Sequence, residues 1–140
     1  MLVILNGQEH TFDIETDTRI PEDLDSLSKE ACRIPGLLAR YGQAVAELKA
    51  EQEQQKFNFE EKVSYVSDMN RQTTEKITEA RIKELSVLSP DVREAKLEQV
   101  RALRDYSAVE NCLKALYKKA DIVIALLYQH RQEMKSYSGI

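Results

Sequence analysis

SPDVREAKLEQVRALRDYSAVENCLKALYKKADIVIALLYQHRQEM, residues 89 to 134, holds the longest uninterrupted helical pattern in the chain and decides the fold. Val109, Leu113, Leu116, Ala120, Val123, Leu127, His130 and Met134 follow one another in alternating steps of four and three. That spacing keeps one seam on one face of a helix, as in a coiled coil or bundle. Ser89 suits an N-cap and Pro90 the first helical position, where its missing N–H costs nothing. Residues 122 to 128, IVIALLY, are apolar nearly all the way round, so this part is expected to touch more than one neighbour. The run is too short to span a membrane, and Asp121 and Arg131 bracket it.

Moving upstream, TTEKITEARIKELSVL reads as a helix over about 74 to 88, capped by Thr73 or Thr74, with Ile77, Ala80, Leu85 and Leu88 facing inward. Before it a long helix is expected over about 36 to 70. Leu38, Tyr41, Val45 and Leu48 lie on one face of it, Gln52 and Gln55 put a polar stretch into the seam, and Phe59, Val63 and Val66 resume it. Pro35-Gly36 is read as an interruption that sets off a shorter helix over about 21 to 33, with Leu24, Leu27 and Ala31 as its apolar stripe. Residues 15 to 20 read as a polar connection. At the start, LVIL and QEHTFDI flank Asn6-Gly7, the dipeptide that supplies both positive-φ positions of a type I′ turn. Two strands, Leu2 to Leu5 and Gln8 to Ile14, are expected. An isolated hairpin is marginal in water, so it must lie on a helix or join a neighbouring subunit.

These elements give a mostly α fold: long helices in a helical hairpin or bundle with an N-terminal β-hairpin. The organisation is a hairpin over residues 1 to 16 followed by a helical domain over 17 to 140. Aromatic residues make up 6% of the chain and Trp is absent, which leaves little for a thick globular core and favours a homo-oligomer. The net charge of −4 is unevenly spread, −5 over residues 1 to 35 and +3 over residues 71 to 140. A generally basic nucleic-acid binder is thereby excluded, and any polyanion site must be a local face or a ring of several subunits. MLVILNGQEH lacks the basic start and long apolar run of a secretory signal, and a cytoplasmic protein is expected.

Chemistry finds thin material. There is no HxxxH, HExxH, CxxC, P-loop or GxGxxG pattern, and Cys32 and Cys112 lack metal-ligand spacing. No catalytic residue, metal or cofactor is expected. His130, in the seam, reads as a residue that sets register. Tyr106, Tyr117 and Tyr128 recur every eleven residues and so stay close to one helix face. They fit stacking platforms for single-stranded bases beside Lys114, Lys118, Lys119 and Arg131. They equally fit tyrosines packed at a bundle edge with hydroxyls in water, and edge packing is the expectation preferred here.

Taken together, residues 74 to 134 resemble the C-terminal half of the UvsY-type phage recombination mediators. The likeness rests on Thr78-Glu79-Ala80, Ser89-Pro90-Asp91, Leu113-Lys114-Ala115 and Lys118-Lys119-Ala120-Asp121 followed by Ile122. Upstream, LLARYGQAVAELKAEQEQQKFNFEEKVSYV is similar to the first long helix of that family. The resemblance implies an accessory protein of homologous recombination, without chemistry of its own, in the cytoplasm of a phage-infected bacterial cell. It implies single-stranded DNA binding, a small ring (a heptamer in the family's described form), and contacts with a strand-exchange recombinase and a single-strand binding protein, the former being helped to displace the latter. The family places two basic residues two apart near the end of the first long helix; here Lys62 stands at the second position and Glu60 at the first. The DNA-binding candidates are therefore Lys62, Arg71, Lys76, Arg81, Lys83, Lys114, Lys118 and Lys119. Leu113, Leu116, Val123 and Leu127 are assigned to the core and to subunit contacts, with Lys114, Lys118 and Lys119 placed around the helix from them. The alternative is a coiled-coil assembly protein with no nucleic-acid role.

Overall fold

The computed structural model describes residues 1 to 73 and 78 to 138. Its elements are β1 (Leu2–Leu5), β2 (Gln8–Thr11), α1 (Ile14–Thr18), α2 (Leu24–Thr73), α3 (Glu79–Leu88) and α4 (Pro90–Ser138). This is the mostly α architecture with an N-terminal β-hairpin that the patterning predicts. The expectations for Thr74, Lys76 and Ile77 lie outside the described residues. The chain forms two compact units, one of Met1–Glu47 with Ser107–Ile140, the other of Leu48–Tyr106. The hairpin thus belongs to the same unit as the start of α2 and the C-terminal part of α4.

In the first unit, β1 and β2 pair antiparallel with Leu5 opposite Gln8, and Asn6 and Gly7 take φ of 50° and 76° as the turn requires. Alternation along β1 turns Val3 and Leu5 inward, where both are buried, and leaves Leu2 and Ile4 exposed. The hairpin lies on a helix rather than standing alone. Arg40 of α2 donates to the Thr11 carbonyl at 2.7 Å and stacks over Phe12, whose ring meets Tyr41 edge-on at 4.8 Å. β2 ends at Thr11, short of the expected Ile14, because Asp13 accepts from the Thr16 N–H and caps α1. The expected polar connection is therefore partly a one-turn helix.

α2 begins after Asp23, which accepts from the Ser26 N–H at 2.9 Å, and runs unbroken through Pro35. The predicted break there is wrong. A proline inside a helix forfeits one backbone hydrogen bond and costs on the order of 3 kcal/mol. What holds the helix is burial in phase on both sides: Leu27, Ile34 and Tyr41 recur every seven residues, Leu37 and Ala44 every seven alongside them, and all are buried. In α4 the corresponding row is Val109, Leu116 and Val123. Leu27, Ile34 and Val123 form one cluster, flanked by Ile20, Ala31, Leu38, Ala120, Leu126 and Leu127. The two rows meet where Leu27 and Ile34 pack on Val123 and Glu30 pairs with Lys119. A seven-residue row on each helix is the coiled-coil period.

The second unit is thinner. From Glu51 to Thr73 no residue of α2 is buried, and Gln52, Gln55, Phe59, Val63 and Val66 are half-buried along the predicted seam. α3 is capped by Thr78, not by Thr73, which is still inside α2. Its inward residues are Ile82 and Ser86; Ala80 and Leu88 are exposed and Leu85 half-buried, contrary to expectation. So short a helix takes its rotation from its docking contact, here the Ser86 hydroxyl 2.9 Å from that of Ser67. Ser89 closes α3, and Pro90 is the first residue of α4 as predicted, with Arg93 N–H donating to the Ser89 carbonyl.

Candidate nucleic-acid interface

Among the described residues, the basic candidates do not form one surface. Lys119 is buried, its side chain 1% exposed. Its ammonium donates to the Asp17 backbone carbonyl at 2.6 Å and to Glu30 Oε2 at 3.0 Å. The placement of Lys119 around the helix from the seam is therefore corrected: it follows Leu116 by three residues and lies on the buried side with it. No phosphate reaches it.

Lys119 belongs to a polar cluster that sequence reasoning missed. The Asp17 carboxylate accepts from Arg33 and from the Tyr41 hydroxyl, at 2.8 Å for the latter. Arg33 also donates to Glu30 at 2.9 Å. Two carboxylates thus face one ammonium and one guanidinium, and among the described residues no buried side-chain polar atom lacks a partner. Burial raises the Glu30 carboxyl, but hydrogen bonds and charge from Arg33 and Lys119 outweigh it and hold the group below its ordinary value of 4.5. Burial, and then the bond to Asp17, push the Tyr41 phenol above its ordinary value. A satisfied, neutral cluster joining α1, α2 and α4 sets register; it offers no free acid or base for catalysis. The only hint in the sequence was an aspartate within a short polar segment.

In the second unit, Arg71 is held by Asp68 at 2.8 Å and by Glu79 at 2.9 Å, and Arg81 by Glu84 at 3.0 Å. Lys83 is exposed beside Val87 and Leu88. Lys62 is exposed but borders a groove with Glu61, Asp91, Glu94 and Glu98, so its surroundings are acidic. A polyanion approaching these cations must compete with carboxylates already on them.

α4 presents a different surface in the first unit. Lys114, Tyr117, Asp121, Ile124, Tyr128 and Arg131 follow one another in alternating steps of three and four, and every one is exposed. Tyr117 is 56%, Ile124 64% and Tyr128 63% exposed. The edge-packing expectation does not hold for these two tyrosines: more than half of each side chain is in water. Tyr106 is half-buried and belongs to the second unit. Lys118 adjoins Tyr117 and has no ion pair among the described residues, and Lys114 is only loosely associated with Glu110 at 3.9 Å.

Of the assigned core positions, Leu116 and Val123 are fully buried within the chain, and Leu113 and Leu127 are half-buried. Past His130 the seam loses its cover, and every described residue from Arg131 to Ser138 is exposed. Cys32 and Cys112 are free thiols, the latter raised above its ordinary value by burial. Among the described residues no group of three His, Cys, Asp or Glu is placed to hold a metal ion, and no helix is long and apolar enough to cross a membrane.

No protein-family model matches the chain, and no curated protein matches it in sequence. Its fold is similar to the crystal structure of the recombination mediator protein UvsY of bacteriophage T4. The TM-score is 0.70 at 15% sequence identity, over 90% of this chain and 93% of that one. At that identity the likeness is one of fold.

Proposed function

We propose that this chain is a recombination mediator: it binds single-stranded DNA and helps a strand-exchange recombinase replace single-strand binding protein, without catalysing a reaction itself. The observation that carries this reading is the fold shared with a recombination mediator over nine-tenths of the chain. The local basic face on α4, in a chain of net charge −4, fits a protein that meets a polyanion on one side only. A homo-oligomer belongs to the same reading. Met134, which continues the seam beyond its intrachain cover and is 61% exposed, offers that surface to a second copy.

Fluorescence anisotropy with a labelled single-stranded oligonucleotide tests the reading. Binding is expected at about 50 mM salt, with affinity falling steeply by about 200 mM as condensed counterions are released. Absence of binding at the lower salt rules the mediator out. The second reading, a coiled-coil assembly protein without nucleic acid, draws on the burial of Lys119 and on the carboxylates that occupy Arg71 and Arg81. An oligomeric mass in solution without DNA binding would select it.

A further inference from the structure

Resting on the mediator reading, we infer that the strand lies along the outward face of α4, with bases stacked on Tyr117 and Tyr128 and phosphates held by Lys114, Lys118 and Arg131. Three observations converge on this face. First, it lies away from the helix's own packing: Val109, Leu116, Lys119 and Val123 are buried on the other side, and both tyrosine side chains remain more than half in water. An exposed aromatic ring loses little by receiving a base, and stacking accepts any base because each has a π-face. Second, the cations there are available. Among the described residues, Lys118 and Arg131 form no ion pair and Lys114 only a long one, whereas Arg71 and Arg81 are each closed by carboxylates. Third, the second unit supplies an internal contrast in Tyr65. It is as exposed as Tyr117, at 59%, but borders the groove where Glu61, Asp91, Glu94 and Glu98 would repel a phosphodiester chain.

The geometry sets the scale of the site. Tyr117 and Tyr128 are eleven residues apart, so at about 1.5 Å per residue the rings lie about 16 Å apart along the helix, no more than about five base-stacking steps of 3.4 Å. The rings therefore receive two separated bases of one short stretch. Asp121, exposed between them, repels phosphates, so the middle of the stretch gains least from this face.

The test compares the full-length chain with Tyr117→Ala/Tyr128→Ala, Tyr117→Phe/Tyr128→Phe and Tyr65→Ala, each titrated with labelled oligothymidylate. Because the chain has no Trp, tyrosine emission can be followed, and the difference between the parent chain and the double variants isolates Tyr117 and Tyr128 from the other four tyrosines. The double alanine variant should bind about tenfold or more weakly and lose the quenching of tyrosine emission, while the dependence of affinity on salt stays the same. The double phenylalanine variant should keep the affinity, and Tyr65→Ala should match the parent chain. If the parent chain binds DNA and the double alanine variant binds equally well with the same quenching, the strand lies elsewhere; the inference fails while the mediator reading stands. A fall in solution mass in the double alanine variant also overturns it, because the face would then be a subunit contact. Absence of binding by the parent chain removes both.

Discussion

The two compact units use the same pair of long helices in opposite ways. In the first, rows of buried apolar residues seven apart run beside a neutral cluster in which Asp17 and Lys119 are buried, Glu30 is half-buried and Arg33 closes the outside. In the second, α2 buries only Leu48, at its boundary, and its surface pairs are Gln54 with Asn58, Gln55 with Glu51 and Arg71 with Asp68. Exposed pairs of this kind add little to stability, whereas a buried pair broken on one side leaves an uncompensated charge. One helix can therefore be rigidly registered in one part and loosely held in another, and the difference lies in what each seam buries. A loosely held part is where a segment opens at low free energy.

This contrast can be broken most forcefully at Val123. It is fully buried against Leu27 and Ile34, so Val123→Asp places a carboxylate in the core of the first unit. Loss of cooperative folding in urea is expected, at a cost above about 4 kcal/mol. A folded, merely dissociated protein would show instead that Val123 serves subunit contacts. Next, Lys119→Ala leaves Glu30 and the Asp17 carbonyl without their ammonium and should destabilise by about 3 to 5 kcal/mol in the same assay. DNA affinity measured on the folded fraction should not change, since the side chain cannot meet a phosphate.

Acidification probes the same cluster more gently. Glu30 is held below its ordinary value in the fold, so its contribution is fully present above pH 4.5 and is lost as pH falls through the lowered value. Denaturation midpoints should drop across that window in the parent chain and drop less in Lys119→Ala; parallel curves would show that the pair is not coupled to folding. The smallest effect belongs to the second unit. Arg71→Ala removes both of its exposed ion pairs and should leave the urea midpoint within error. A large shift there would erase the contrast between the units.

Much of this architecture was legible in the chain. Asn6-Gly7 specifies its turn by backbone sterics alone, and Pro90 starts α4 because its fixed φ acts locally. The period of Val109, Leu116 and Val123 identifies a packed seam for the same reason: a helix has one geometry, and spacing maps directly onto its faces. The resemblance drawn from those patterns extends to the fold, which is similar to that of T4 UvsY.

Only the tertiary structure decided the rest. Pro35 stays helical because Ile34 and Leu37 on either side are buried, and no local rule contains that contact. α3 is rotated from its expected phase by Ser67, nineteen residues away. Lys119 looks like a surface cation because periodicity reports an angle, not a partner; its carboxylate, Glu30, lies 89 residues earlier. Tyr117 and Tyr128 share a face by sequence, but whether that face is packed or in water depends on which side of α4 the rest of the chain covers. The sequence determined the turn of the hairpin, the long helices and the seam of α4, because these follow from local geometry; the three-dimensional packing determined the phase of α3, the continuity of α2 through Pro35 and which charges are neutralised.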